Sequence, residues 1–256
     1  MYFSVYCSRG AKEKMNSALL IPNARNFRLW FLLAFQAGAI NAGGFIACQR
    51  FVTHTTGFAT QFALDLAKFS WKEAFGALTV PVFFLFGAMI SSFFIDIPLQ
   101  QGQKPKYVYP CALIFLTLAA ATILGELGVF GVFGDDMIFA KDYFFLVLLC
   151  LASGLQNALL TNPKGGSVRT THLTGVTTDL GTSLVRLLFS EQSDALHEKD
   201  KIDSFARIGI IGFFILGSIV SAFLFLKARY LGFLLPTCTA LGLLKYFLFK
   251  KEFRGF

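Results

Sequence analysis

Two histidines, His54 and His172, stand in copies of one pentapeptide, Thr53-His54-Thr55-Thr56-Gly57 and Thr171-His172-Leu173-Thr174-Gly175, and the chain of 256 residues has only 3 histidines. A neutral imidazole offers one donor and one acceptor and titrates near physiological pH, so a repeated histidine in a polar setting suits proton transfer or the binding of a polar solute. The plainer role is to bond a neighbouring helix end and hold a break in the chain. Thr56 and Thr174 follow as N-caps, since a threonine oxygen accepts from the free N–H groups of a helix start. Asn41 and Asn157 occupy matching places ahead of the pentapeptides, in Gly38-Ala39-Ile40-Asn41-Ala42 and Gly154-Leu155-Gln156-Asn157-Ala158. Either amide can hold a solute or clamp a freed backbone carbonyl across a helix interface.

Charged groups near the motifs complete the set. Asp179 follows the second motif by 4 residues. A carboxylate at membrane depth costs about 3 kcal/mol and needs a partner, for which Arg169 or His172 stands closest. Asp65, nearer Lys68 and Lys72, reads as interfacial. Arg169 lies in the turn-rich stretch Asn162-Pro163-Lys164-Gly165-Gly166-Ser167-Val168-Arg169-Thr170, where a surface arginine contacting headgroups is the plain reading. The substrate-binding set expected from sequence is therefore Asn41, His54, Thr56, Asn157, Arg169, His172, Thr174 and Asp179. No hydrolytic triad, nucleotide fingerprint or phosphate loop emerges. Cys7, Cys48, Cys111, Cys150 and Cys238 are scattered without metal-ligand or redox spacing. The expectation is a protein that is not an enzyme and takes no metal and no cofactor.

The elements that must position these residues are membrane helices. Hydrophobic residues make up 55% of the chain and charged ones 15%, against roughly 25% charged in soluble domains, and mean hydropathy is +0.62. A bilayer core about 30 Å thick needs roughly 20 apolar residues of helix. The segments Leu29 to Cys48, Phe75 to Ile95, Val108 to Phe130, Tyr143 to Leu160, Phe205 to Leu226 and Tyr230 to Phe249 qualify. The fold expected is all-α, a polytopic membrane helix bundle of about six transmembrane helices in two three-span repeats. These are residues 28–130 and 142–250, after a basic N-terminal tail, 1–27. Phe83-Phe84-Leu85-Phe86-Gly87-Ala88 answers Phe213-Phe214-Ile215-Leu216-Gly217-Ser218 and Ser91 answers Ser221, although apolar segments match by composition alone and the polar pentapeptide carries the argument. From Gly57 to Gly87 is 30 residues and from Gly175 to Gly217 is 42, and the charged run Asp194 to Asp203 accounts for most of the excess as an inserted loop.

The segments after each motif, Gly57 to Ala67 and Gly175 to Val185, have helical apolar spacing with a Thr, Gln and Asp face. They read as short helices, re-entrant or buried in the bundle. If they do not cross, each repeat has an odd number of spans and the second enters the bilayer inverted, as in many secondary transporters. If they cross, the repeats run parallel, but helices this short and polar span poorly and the inverted arrangement is the one expected.

Basic residues near the span ends put both termini in the cytoplasm, with Lys104, Lys106, Lys164, Arg169, Arg186, Lys199 and Lys201 on the same side. Arg50, Lys68, Lys72, Lys227 and Arg229 oppose that orientation. The net charge of +8 suits a basic face against anionic lipid, and nothing suggests nucleic-acid binding. The partners expected are the lipid bilayer and a small solute or ion of unknown identity, and a homo-oligomer stays open. The Gly-Leu-Gln-Asn-Ala block with Arg169-Thr170-Thr171-His172-Leu173-Thr174-Gly175, and its counterpart from Gly38 to Gly57, resembles the YoaK family of multi-pass membrane proteins over roughly Leu29 to Phe249. In that family a Tyr often stands where this chain has His172, and an Asn where it has Phe58. The resemblance implies a home in the bacterial inner membrane and no reaction. The function expected is a small-solute transporter or permease, with a non-transporting scaffold or accessory subunit as the alternative.

Overall fold

The computed structural model describes residues 19–53, 55–135, 140–160, 168, 170–190 and 193–250. They form α1 (Ala24–Cys48), α2 (Thr56–Ala67), α3 (Trp71–Ala77), α4 (Thr79–Gln100), α5 (Val108–Glu126), α6 (Ala140–Asn157), α7 (Leu173–Phe189), α8 (Asp194–Ala228), a 3-10 turn (Arg229–Phe233) and α9 (Leu234–Phe249). No strand occurs among the described residues. Helix is the form in which so apolar a chain satisfies its backbone groups within each segment.

Four helical stretches among the described residues are long and apolar enough to cross a bilayer: Ala24–Cys48, Trp71–Gln100, Val108–Glu126 and Asp194–Phe249, the last containing both α8 and α9. The sequence count of six is thus not reproduced. α6, expected as a span, has 18 residues with Lys141 and Asp142 at its start and Gln156 and Asn157 at its end. The start of α1 is capped by Asn23, whose side-chain oxygen accepts from the N–H of Arg25 at 3.1 Å and of Asn26 at 3.0 Å. Arg25 therefore belongs to the first turn of α1 rather than to a tail. The charged run Asp194 to Asp203 is no inserted loop: it forms the first turns of α8, whose 35 residues reach about 52 Å at 1.5 Å per residue.

Two helix pairs form the centre, and both cross on glycine. α1 runs parallel to α8, with Phe27 against Phe205 and Phe31 stacked on Phe213 at 5.0 Å. A Cβ on Gly38 would overlap the Phe214 carbonyl, and one on Gly217 would overlap that of Phe35. α4 runs parallel to α6 with the same arrangement: a Cβ on Gly154 would overlap the Phe84 carbonyl and one on Gly87 that of Leu151. Glycine lets the two backbones touch, which is how helices associate where lipid removes the hydrophobic drive.

The remaining contacts fix direction. Tyr107 at the start of α5 stacks on Phe247 near the end of α9 at 5.0 Å, and Thr122 meets Thr237 at 3.3 Å, so α5 and α9 are antiparallel. Gln156 at the end of α6 donates to the Leu33 carbonyl of α1 at 2.6 Å. At the other end Phe233 packs against both Gly43 of α1 and Phe145 of α6. α1 and α6 are accordingly antiparallel as well.

Candidate functional site

Each central helix hands the chain to a motif that folds back beside it. After α1 the chain reverses at Gln49, which adopts left-handed φ 54° while its N–H bonds the Phe45 carbonyl at 2.9 Å. Gly44 leaves room for Val52 to lie against the helix. The returning segment is pinned where the Thr53 N–H donates to Asn41 Oδ1 at 3.3 Å. After α6 the counterpart is a bond from the Thr171 hydroxyl to Asn157 Oδ1. Both asparagines thus clamp a motif threonine, one through its N–H and the other through its hydroxyl.

The two motifs open into one cavity of about 330 Å³. Thr53, Thr55 and Thr56 line it from the first motif and Thr171, His172, Leu173 and Thr174 from the second. Asn157, Phe84 and Phe214 are further described residues of the wall. Of the eight residues expected from sequence, Thr56, Asn157, His172 and Thr174 lie on this cavity. Asn41 stands behind it, engaged with Thr53. Asp179 is exposed two turns along α7 and is not on the cavity wall. His54 and Arg169 lie outside the described residues.

The threonines are not the caps that sequence suggests. Thr56 is the first residue of α2, after Thr55, and Thr174 is the second of α7, after His172, and neither helix start has a side-chain cap bond. Both helices thus begin beside the cavity, where the Phe58 N–H of α2 bonds the Thr55 carbonyl at 3.4 Å. Gly175 makes room for His172, since a Cβ there would sit 2.6 Å from its Nδ1.

Beyond the motifs the two short helices end differently. Asp65 on α2, expected at the interface, is 6% exposed: it accepts from Gln61 Nε2 at 2.7 Å through Oδ1, while Oδ2 has no hydrogen-bond partner among the described residues. Ser183 stands opposite Asp65 when the halves are aligned, and it is fully buried in a charged cluster. Arg186 donates to both oxygens of Asp200, at 3.0 Å and 2.9 Å, and Arg186 and Arg207 donate to the Ser183 hydroxyl at 2.9 Å and 2.6 Å. The hydrogen bonds to Asp200 hold the Arg186 guanidinium above its ordinary pKa. Sequence reasoning missed this cluster because its members lie on two helices whose pairing periodicity does not reveal. Phe84 and Phe214 were visible only as matching apolar blocks. No group of three or more His, Cys, Asp or Glu among the described residues could hold a metal ion.

Comparison with curated proteins and with solved structures finds no match. The model of one family covers residues 29–246, from the first turns of α1 to near the end of α9. The match agrees with an apolar, all-helical chain whose activity no motif declares. The chain belongs to the family described as protein of unknown function, DUF1275.

Proposed function

We propose that this chain is a permease for a small solute, built from two inverted repeats, residues 28–130 and 142–250, with its binding site between the two Thr-Gly motifs. Within its family we group it with the YoaK-type proteins that its motifs resemble. In this reading α1, α4, α5, α6, α8 and α9 cross the membrane. α2, with 12 residues and thus about 18 Å long, stops short of crossing, and α7 runs back from the site as its counterpart. Corresponding helices point in opposite directions, α1 against α6 and α5 against α9, which supports inversion rather than parallel duplication. Corresponding glycines cross at corresponding carbonyls, which supports a common origin of the halves. Each half lends a helix to the other, since α1 pairs with α8 and α4 with α6.

The single observation that carries the proposal is that both motifs, 118 residues apart in sequence, line one cavity. Broken helices that converge between inverted halves are the plan of secondary transporters, in which the halves rock about a fixed site. The protein is taken to sit in a bacterial inner membrane with both termini cytoplasmic, on the balance of basic residues at the helix ends. The proposal contains no chemical conversion.

The Asn41 and Asn157 clamps favour a second reading, a scaffold whose polar breaks only pack the bundle. A thermal-unfolding screen of the purified protein against ions, amino acids, sugars and organic acids separates the two. A bound solute stabilises by RT ln(1 + [L]/Kd), and uptake of the same solute into proteoliposomes should follow. Silence across the panel with no uptake would falsify the permease reading and leave the scaffold.

A further inference from the structure

We propose that Arg186 and Arg207 bind the phosphate of an anionic phospholipid where the end of α7 packs on α8, with the lipid's chains along the apolar surface beside them. The inference is independent of the permease reading and needs only that α8 crosses a bilayer.

Depth is the first argument. Between Arg207 and Lys227 lie 19 residues without a charge, 208–226. As helix they measure about 28 Å, close to the hydrocarbon thickness of a bilayer. Arg207 therefore stands at the edge of the apolar layer, at the level where lipid phosphates begin, and the hydroxyl that both arginines share brings Arg186 to the same level.

Charge is the second. Arg186 and Arg207 donate to the one Ser183 oxygen at 2.9 Å and 2.6 Å, so the two donating nitrogens are at most about 5.5 Å apart, and like charges that close repel. Ser183 is neutral and fully buried and cannot offset them. Both oxygens of Asp200 bond Arg186. Arg207 has a single hydrogen bond among the described residues, to that hydroxyl, although a guanidinium carries five N–H donors. Asp179 and Asp203 act on Arg186 through space, and neither bonds Arg207 among the described residues. One of the two positive charges is thus left for an anion from outside the chain.

Access is the third. The Arg186 side chain is 47% exposed and Arg207 is half-buried, so both can be reached where Ser183 cannot. Val185 beside Arg186, and Phe205 and Ile208 on either side of Arg207, are exposed apolar side chains. A phospholipid covers the charge and this surface together, whereas a free phosphate has no use for the surface. Basic pockets between membrane helices hold anionic headgroups, and the planar fork of arginine matches phosphate oxygens.

Native mass spectrometry of the purified full-length protein in detergent, titrated with dioleoylphosphatidylglycerol or dioleoylphosphatidylcholine, tests this. The wild type should retain one phosphatidylglycerol in preference to phosphatidylcholine. Arg207→Gln should weaken phosphatidylglycerol about tenfold, the worth of a hydrogen bond to a charged group, and leave phosphatidylcholine unchanged. Arg207→Lys keeps the charge without the fork and should bind phosphatidylglycerol with an affinity between the two. The readout is the ratio of the two lipids within each variant, so a general loss of stability does not mimic the effect. Equal retention of both lipids by the wild type, or a wild-type preference in Arg207→Gln, overturns the site. Arg207→Lys binding no better than Arg207→Gln overturns the charge argument. Displacement of phosphatidylglycerol by an equal concentration of glycerol 1-phosphate overturns the lipid assignment in favour of a free phosphate ester.

Discussion

The seam between α1 and α8 and the seam between α4 and α6 share a backbone crossing but not the side chains that tie it. In the first, the Ser218 hydroxyl donates to the Gly38 carbonyl at 3.1 Å, and the matching place in the second is Ala88. Phe31 covers Gly209 in the first, whereas beside the second Tyr143 of α6 covers Gly76 of α3. The same divergence recurs in the short helices. α7 is tied to α8 by the Arg186–Asp200 pair, whereas near the end of α2 Asp65 accepts from Gln61 through Oδ1 and its Oδ2 has no partner among the described residues. Close glycine contact is what both halves keep, because nothing larger fits, while polar ties have been free to differ. The half containing α2 and α3 is therefore the more loosely held.

The crossing itself is where substitution should cost most. Gly38→Ala and Gly154→Ala each drive a methyl into a carbonyl, and each should destabilise by roughly 3 kcal/mol or prevent folding, as overpacking does at its upper end. Thermal unfolding of the two variants checks the symmetry, and a large loss in only one would break the equivalence of the seams. Next comes the Asn41 clamp. Asn41→Ala strands the buried Thr53 N–H and should cost about 1 to 3 kcal/mol, read by the same melting experiment.

Asp200→Asn should release α7 from α8. Hydrogen exchange should then show α7 amides losing their extra protection and exchanging at the pace of α2, where the wild type keeps α7 slower. The smallest effect belongs to the seam hydroxyl. Ser218→Ala should lower stability by about 0.6 kcal/mol, the usual worth of such bonds between membrane helices. Ala88→Ser should recover a similar amount by reaching the Gly154 carbonyl. A gain from neither exchange would mean that the two crossings are not equivalent.

How much of this could be read from the chain differs by the kind of signal. The duplicated pentapeptide is polar in an apolar chain and so stands out in the sequence, and Thr56, Asn157, His172 and Thr174 of the expected set line the cavity. The glycine crossings were present as Gly38, Gly154, Gly87 and Gly217, yet which helix meets which could not be read, because glycine spacing carries no partner's name. Its place four residues after the motif suggests Asp179 as a site residue, but helical rotation turns it outward two turns along α7. Neighbouring lysines point Asp65 to the interface, whereas it is buried at 6% exposure and bonded to Gln61. The charged run from Asp194 looked like a loop because charge is common in loops. Its residues are nevertheless good helix formers, and they continue into the apolar part of α8 without a Gly or Pro to stop them.

Thr56→Cys and Thr174→Cys, placed in a background in which the native cysteines are replaced, test most directly whether the two motifs share one cavity. Treatment of the protein in membranes with a short bifunctional thiol reagent, followed by mass spectrometry, should recover one intramolecular peptide linking α2 to α7. Recovery of both cysteines singly modified, with no link within the chain, would contradict it.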